Sequence, residues 1–281
     1  MAGNQHQNHL VVSVGNAMQN IRISQQNFYL DTPNLPQGRV TCVALSERAD
    51  MVRDALRKRG ITVQKVPASP DLESSIASHA DMLFYPSSAY RWFCGSIEFE
   101  HSLKSFLNSI NFQYISVHSP YPTDCALNAA RVGKFLFCNP RTVSAALLED
   151  AKRNACVIVP VRQGYTKCNT VPVTETAILT EDCGIAKAAA HAGLDVLCIE
   201  PGFVRLEGYP YGFLGGACGK LSKRELAFAG DLSKHPQAGR ICAFLEQHGV
   251  RAVSLCDGPL TDVGGILPLQ EKRCVRAGIG V

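Results

Sequence analysis

Apolar blocks separated by polar stretches predict a short series of elements that recurs along the chain. Residues 40–45 form a strand-like apolar run, and residues 51–56 carry an apolar stripe at helical spacing. Gly60 lies where such a helix would end on a left-handed residue, and residues 61–66 are again strand-like. The first stretch therefore predicts a strand, a helix, a glycine stop and a second strand.

The helix, the stop residue and the following strand recur four more times. Gly193 and Gly249 hold the stop position in two copies. Asn111 and Asn154 hold it in the other two, since asparagine is the next-best residue for positive φ. After each short strand comes a polar or glycine-rich crossing segment, and then an apolar strand ahead of the next helix. These later strands are predicted at residues 81–85, 134–138, 176–180 and 225–229.

The last copy runs out of chain soon after Leu269, and residues 40–59 supply its missing strand and helix. A repeat completed by the opposite end of the chain predicts a closed ring, because each copy buries its apolar face only against its neighbours. We therefore expect residues 40–45 to pair in the sheet that carries residues 250–255 or the segment after it. A doubly wound α/β fold is the alternative. It is disfavoured because no glycine-rich phosphate loop follows the first strand.

The same pattern divides the chain into three parts. Residues 1–38 are polar and show little periodicity, which predicts an N-terminal extension that is partly disordered. Residues 39–270 carry all the repeated elements and are predicted to form one domain. Residues 271–281 are predicted to be a short C-terminal tail.

Charge and cysteine usage narrow the class of protein. A net charge of +4 without a basic stripe gives no sign of nucleic-acid binding. No run of about 18 apolar residues and no secretory signal is present, so neither membrane insertion nor export is expected. The 12 cysteines are scattered through apolar runs and include no C-x-x-C pair, which favours a reduced, cytoplasmic protein. We predict no metal and no cofactor.

Five motifs carry a resemblance to a known fold family. They are residues 121–124, 163–168, 211–219, 230–235 and 260–269. With them the chain resembles the penteins, the family of guanidino-group-modifying enzymes that includes arginine deiminases and dimethylarginine hydrolases. It is more similar still to an uncharacterised bacterial family assigned to that fold. The resemblance implies an α/β five-bladed propeller of five ββαβ-type repeats closed around a central channel.

The chain departs from the catalytic penteins at two positions. Their nucleophilic Cys lies in the last crossing segment, which here is residues 262–269 and contains no Cys. Their general-base His lies in the segment that is residues 164–173 here, which contains Tyr165 and Lys167 but no His. Ordinary guanidine hydrolysis is therefore not expected.

The crossing segments supply the candidate site residues, because a closed ring would bring them together. The substrate-binding candidates are His79, Asp81, Asp124, Asn128, Lys167, Tyr211 and Asp262. Converging carboxylates and aromatic rings suit a cationic ligand. The alternative for the three aspartates is the capping of local turns. Cys168 is the candidate nucleophile, with Lys167 expected to lower its pKa.

The sequence thus predicts a pentein-fold protein that binds a small cationic molecule, guanidino or amino, in its central channel. Two alternatives remain open. One is a diverged Cys-dependent hydrolase or transferase of the guanidino-modifying class that uses Cys168. The other is a non-catalytic pentein that binds a protein or a ribosomal subunit, as the anti-association translation factors of archaea and eukaryotes do.

Overall fold

The protein is a mixed α/β fold built on five small sheets. The computed structural model describes residues 23–106 and 110–276. The strands are β1 (Ile23–Tyr29), β2 (Arg39–Ser46), β3 (Thr62–Val66), β4 (Phe84–Pro86), β5 (Arg91–Cys94), β6 (Asn111–Tyr114), β7 (Ala130–Val132), β8 (Phe135–Cys138), β9 (Val157–Pro160), β10 (Thr170–Thr174), β11 (Ala177–Thr180), β12 (Asp195–Cys198), β13 (Cys218–Ser222), β14 (Glu225–Phe228), β15 (Arg251–Ser254) and β16 (Leu267–Arg276). The helices are α1 (Asp50–Lys58), α2 (Ala80–Leu83), α3 (Ile97–Phe106), α4 (Ala145–Arg153), α5 (Cys183–His191) and α6 (Ala238–Gln247).

Four of the sheets have three strands and share one topology. They are β4–β5–β6, β7–β8–β9, β10–β11–β12 and β13–β14–β15. In each of them the first two strands form an antiparallel hairpin, and the second and third are parallel. A parallel pair needs a crossover, and a helix provides it between the second and third strand of each sheet. The segment that enters each hairpin, between the preceding sheet and the hairpin's first strand, is the crossing segment.

The fifth sheet joins the two ends of the chain. Its strand order is β1–β16–β2–β3, and β16 runs antiparallel to β2 with Leu267 opposite Ala44. The expected pairing of residues 40–45 with the segment that follows residues 250–255 is confirmed. The predicted boundaries at 38 and 271 both fall inside this sheet, since β1 precedes the first and β16 continues past the second. Residues 1–22 and 277–281 of the predicted extension and tail lie outside the described residues.

A buried ion pair fastens this terminal sheet. Glu271 in β16 is 0% exposed and accepts hydrogen bonds from the Gly38 backbone N–H and from Arg273 Nε, the latter at 2.7 Å. Arg273 also reaches Asp31, with 2.8 Å between Nη1 and Oδ2. The segment between β1 and β2 is thereby bonded to the C-terminal strand.

The predicted glycine stops are confirmed and the asparagine stops are wrong. Gly60, Gly193 and Gly249 have φ of 76°, 85° and 66° directly after their helices. Asn154 instead has φ of −86°, and the left-handed residue is Ala155 with φ of 52°. The Asn154 side chain donates back to the Asp150 carbonyl at 2.9 Å, so this residue still belongs to the helix end. Asn111 is the first residue of β6.

The strand predicted at residues 81–85 is also wrong in part. Residues 80–83 form the helical turn α2, and only β4 follows as the first strand of its hairpin. The strand that precedes the helix of this sheet is β5, which holds the buried Trp92 and Phe93. The sequence pattern found β4 only in part and missed β5 and the first strands β7, β10 and β13, since β7 has only three residues and β10 and β13 contain Pro172 and Gly219, which are disfavoured in strands. Strand β10 occupies the last four of the ten residues, 164–173, that were predicted to be a polar crossing.

Hydrogen bonds and packing join successive sheets. Ser46 Oγ lies 2.7 Å from Ser78 Oγ, and Arg91 Nε lies 2.7 Å from Asp150 Oδ1. The buried Lys220 donates from Nζ to the Val173 carbonyl at 2.7 Å. Strand β10 packs on β7 and β13, and β13 packs on β2 and β16. No helix within the described ranges is long and apolar enough to cross a membrane.

Candidate functional site

The candidate site lies where five crossing segments meet ahead of the hairpins. These segments are the turn into α2, the 3-10 turn Thr123–Cys125 with the residues after it, the loop before β10, the 3-10 turn Leu214–Ala217, and the loop before β16. Each segment is held at both ends by a strand or a helix. The sheets therefore bring these segments and their polar side chains to one place.

Asn128 joins three of the segments through its side-chain amide. Its Nδ2 donates to the Asp81 carbonyl at 3.1 Å and contacts Cys168 Sγ at 3.0 Å. Its Oδ1 accepts the Lys167 backbone N–H at 2.7 Å. Asn128 is 1% exposed, so these bonds replace water completely. The sequence prediction placed Asn128, Asp81, Lys167 and Cys168 together, and the structure brings them into contact.

Asp262, like Asn128, is a buried residue that contacts several of the segments. Its Oδ2 accepts the Phe213 backbone N–H at 2.9 Å, and its Oδ1 accepts that of Gly264 at 3.0 Å. His79 Nδ1 lies 3.7 Å from Oδ1. Burial raises the pKa of Asp262, His79 lowers it, and the nearby Asp81 raises it further. Asp262 thus both caps a local turn and lies among other titratable groups.

Three glycines let the segments approach this closely. A β-carbon built on Gly215 would lie 2.5 Å from the Cys168 carbonyl oxygen, and one on Gly216 would lie 2.0 Å from Asp262 Oδ1. One on Gly264 would lie 2.3 Å from the His79 α-carbon. Side chains do not fit at such distances, so glycine is required here by the neighbouring segment.

Asp81 is buried without a hydrogen-bond partner for its carboxylate. Its backbone N–H donates to the Gly264 carbonyl at 3.0 Å, and the residue is 1% exposed. Neither carboxylate oxygen accepts a hydrogen bond of normal geometry from a described residue. The Cys168 thiol interacts with this carboxylate but is a weak donor. Leaving a carboxylate in this state costs free energy.

Glu181 belongs to the site and was not predicted. It follows β11 directly, is 5% exposed, and accepts the Leu214 backbone N–H on Oε2 at 2.6 Å. Its Oε1 has no hydrogen-bond partner within the described part of the chain. Burial raises the pKa of Glu181 to about 7, the Leu214 bond opposes this, and Asp262 adds to it. The available signal was a carboxylate placed directly after the largely apolar strand Ala177–Thr180.

The expected effect of Lys167 on Cys168 is wrong. Cys168 is 4% exposed, and burial raises the pKa of its thiol well above the ordinary value, with Asp81 and Asp262 raising it further. The Lys167 side chain turns elsewhere, and its Nζ donates to the Gly215 carbonyl at 3.4 Å. A thiol surrounded by carboxylates and removed from water is a poor nucleophile. The structure therefore gives no support to Cys168 as a catalytic residue.

Asp124 is joined to the site through Tyr165, whereas Tyr211 lies at its exposed edge. Asp124 is 3% exposed and accepts the Tyr165 hydroxyl on Oδ2 at 2.8 Å, while its Oδ1 has no partner among the described residues. Tyr211 is 40% exposed and makes an edge contact with Phe213, with 6.2 Å between ring centroids. The grouping predicted from the sequence thus holds for Asp124 through Tyr165 but not for Tyr211.

A cavity of about 180 Å³ leads to this cluster from the protein surface. Ser46, Ser78, His79, Leu206 and Asp262 are among the residues that line it. No group of three metal-ligating side chains was found in residues 23–106 and 110–276. The site is chemically a buried set of carboxylates beside a histidine and an amide, suited to hold a hydrogen-bonding cation.

The structures that this fold matches are penteins. A DDAH from Pseudomonas aeruginosa, solved in complex with citrulline, superposes with a TM-score of 0.52 at 8% identity, over 84% of this chain and 100% of that one. An inosamine-phosphate amidinotransferase from Streptomyces griseus matches at 11% identity and a TM-score of 0.48, over 81% and 91%. A C. jejuni agmatine deiminase matches at 8% identity and 0.48, over 83% and 91%. The protein thus has a distant pentein-fold relationship, as the sequence motifs indicated.

A family model matches most of the domain. It covers residues 44–267 and is described as a family of unknown function, DUF6873. The chain belongs to this family. A search of curated proteins gave no match.

Proposed function

We propose that this protein binds a small organic cation, with a guanidinium or an ammonium group, at the cluster formed by Asp81, Glu181 and Asp262. The binding involves no cysteine-based chemistry. The observation that carries the proposal is the Asp81 carboxylate, which is 1% exposed and has no hydrogen-bonded N–H partner among the described residues. A ligand cation would supply the missing donors.

The internal cation of the site does not fill this role. Lys167 is 6% exposed, and no described carboxylate oxygen lies within 4.0 Å of its Nζ. Its hydrogen bond goes to the Gly215 carbonyl. A guanidinium offers five N–H donors in one plane, which suits a cluster of carboxylate oxygens better than a single ammonium does.

The central placement of the site rests on a ring arrangement of the five sheets, which we also propose. It is supported by contacts between each sheet and the next, from Ser46–Ser78 and Arg91–Asp150 to Lys220–Val173. The packing of β13 on β2 and β16 would close the ring. In this arrangement all five crossing segments face one axis.

Gly264 and Gly265 are the proposed point of access. Gly264 accepts the Asp81 backbone N–H, donates to Asp262 and abuts His79, which lines the cavity, and a β-carbon on Gly265 would lie 3.7 Å from Asp81 Oδ2. Both glycines have positive φ, 74° and 79°. A shift of this pair would open the Asp81 carboxylate to a ligand in the cavity.

The raised pKa values of the nearby thiols favour binding without hydrolysis. Burial raises the pKa of Cys168 well above its ordinary value and that of Cys218 to about 12. Neither thiol would form a thiolate near neutral pH.

A thermal-shift screen tests the proposal. Arginine, agmatine, methylguanidine and polyamines are added to the wild type, to Asp81→Asn and to the exposed control Asp54→Asn. A ligand at 100 times its dissociation constant stabilises by about 2.7 kcal/mol, which should raise Tm by several degrees. We expect a cation to raise Tm of the wild type and of Asp54→Asn but not of Asp81→Asn.

A second readout does not require the ligand to be known. Asp81→Asn replaces a buried carboxylate that has no N–H partner among the described residues by a neutral amide of similar shape, so the empty variant should melt at or above the wild-type temperature. A clearly lower Tm of the empty variant would show that Asp81 already has a stabilising partner. A cation shift that persists unchanged in Asp81→Asn, or a response to anions alone, would contradict the proposed site.

A further inference from the structure

Two cysteines outside the candidate site lie side by side. Cys183 is the first residue of α5 and Cys198 is the last residue of β12, and their sulfur atoms are 4.0 Å apart. Cys183 is exposed and Cys198 is half-buried. Among the described cysteines this is the one pair with sulfurs in hydrogen-bonding contact.

The topology of the sheet produces this pair. Strands β11 and β12 are parallel, and Thr180 at the end of β11 lies opposite Cys198. The chain leaves β11, is capped by Asp182, and begins α5 at Cys183. The start of the helix is therefore held above the end of the neighbouring strand, and the two thiols face each other across that step.

We infer that Cys183 and Cys198 are a redox modification site that closes reversibly to an intramolecular disulfide. A disulfide needs the sulfurs to approach to about 2.05 Å, so a movement of about 2 Å from their present separation is required. Rotation of the two side chains, of which Cys183 is exposed and Cys198 half-buried, can supply it. The inference does not depend on the proposed ligand site.

The chemistry balances with a peroxide as the oxidant. The Cys183 sulfur attacks one peroxide oxygen, the S–O bond forms as the O–O bond breaks, and water leaves after proton transfer. The Cys198 thiol then attacks the sulfur of the Cys183 sulfenic acid: the S–S bond forms as the S–O bond breaks, the thiol proton passes to the leaving hydroxyl group, and a second water is released. Two thiols and one hydrogen peroxide thus give one disulfide and two waters.

The surroundings distinguish the two thiols. The pKa of Cys198 is raised to about 11; burial is the largest cause, its contact with Cys183 and the charge of Asp182 act in the same direction, and Arg240 opposes them. Cys198 therefore stays protonated beside the Cys183 sulfur. The exposed Cys183 is the sulfur that an oxidant reaches first, and Cys198 resolves the intermediate.

Peptide mapping of the full chain tests the inference. The reduced protein is treated with hydrogen peroxide, its free thiols are blocked, and it is digested under non-reducing conditions. Trypsin alone leaves Cys168 and Cys183 in one peptide, residues 168–187, so a glutamate-specific protease is added to cleave after Glu181. The expected product is residues 182–187 linked to residues 188–205, since Glu200 is followed by Pro201 and is not cleaved, with the number of free thiols falling from twelve to ten.

Three serine variants sharpen the result. Cys183→Ser and Cys198→Ser should each abolish the linked peptide, and Cys242→Ser, which changes another half-buried cysteine, should leave it intact. A thiol reductant should restore all twelve thiols. A linked peptide that involves other cysteines, or further oxidation of Cys183 without loss of the Cys198 thiol, would overturn the inference.

Discussion

Gly216 lies against the carboxylate of Asp262 with no room for a side chain. A β-carbon at Gly216 would be 2.0 Å from Asp262 Oδ1 and 2.4 Å from the carboxyl carbon. Asp262 cannot turn aside without losing the Phe213 and Gly264 N–H groups that hold its two oxygens. The glycine is thus required by the site itself.

Gly216→Ala should destabilise the protein. Overpacking of this kind costs about 1–3 kcal/mol, and Tm should fall by roughly 2–4 °C for each kcal/mol in a chain of this size. Thermal unfolding measures the change. Gly239→Ala is the control, since its β-carbon meets no atom within 4 Å and it lies in α6. Equal melting temperatures for Gly216→Ala and the wild type would contradict the close approach.

Asn128→Ala should separate the crossing segments. The Lys167 N–H and the Asp81 carbonyl would lose their side-chain partner in the interior. Each buried group left without a partner costs about 1–3 kcal/mol. Urea unfolding at neutral pH gives the difference, and Asn27→Ala on the exposed face of β1 should change stability by less than about 0.5 kcal/mol. Similar losses for the two variants would remove Asn128 from its central role.

Glu181→Gln should change how stability depends on pH. The pKa of Glu181 is raised from 4.5 to about 7 on folding, so the folded state binds the extra proton more tightly than the unfolded state. This contribution is fully present below pH 4.5 and is lost as pH rises towards 7. It amounts to at most roughly 3 kcal/mol.

Glutamine is neutral and keeps an oxygen for the Leu214 N–H. Glu181→Gln should therefore be more stable than the wild type at pH 8 and similar to it at pH 4. Unfolding free energies of the variant and the wild type, measured between pH 4 and pH 8, test this expectation. Glu149→Gln, at an exposed pair with Arg153, serves as the control and should follow the wild-type curve. If the unfolding free energies of Glu181→Gln and the wild type changed with pH in parallel, Glu181 would have no raised pKa in the folded protein.

Cys168 should resist alkylation in the folded protein. Its burial and the neighbouring carboxylates Asp81 and Asp262 keep it as a thiol. Limited treatment with iodoacetamide at neutral pH, in the presence of a phosphine reductant, should modify the exposed Cys183 and Cys274 first. The same treatment in denaturant should modify all 12 cysteines. Modification of Cys168 as fast as Cys183 would restore it as a candidate nucleophile.

The apolar pattern by itself determined the order of most elements and the pairing that joins the chain ends. Helix stops at Gly60, Gly193 and Gly249 were predictable because a left-handed residue after a helix is a local requirement. The first strands of three hairpins were not, because β7 has only three residues and β10 and β13 contain Pro172 and Gly219, which are disfavoured in strands. Asn154 was predicted to have the left-handed conformation, but its side chain bonds to the Asp150 carbonyl at the helix end and Ala155 is the left-handed residue.

Only the tertiary structure decided which polar residues form the site. The sequence placed Asp81, Asn128 and Asp262 in segments that should converge, and they do. It could not show that Glu181 joins them or that Tyr211 stays outside, because a side chain's burial is set by segments far away in the chain. The pKa of the Cys168 thiol was likewise set by the tertiary structure. Its neighbour Lys167 predicts a lowered pKa, but desolvation and two distant carboxylates raise it, since interactions in a low-dielectric interior outweigh adjacency in sequence.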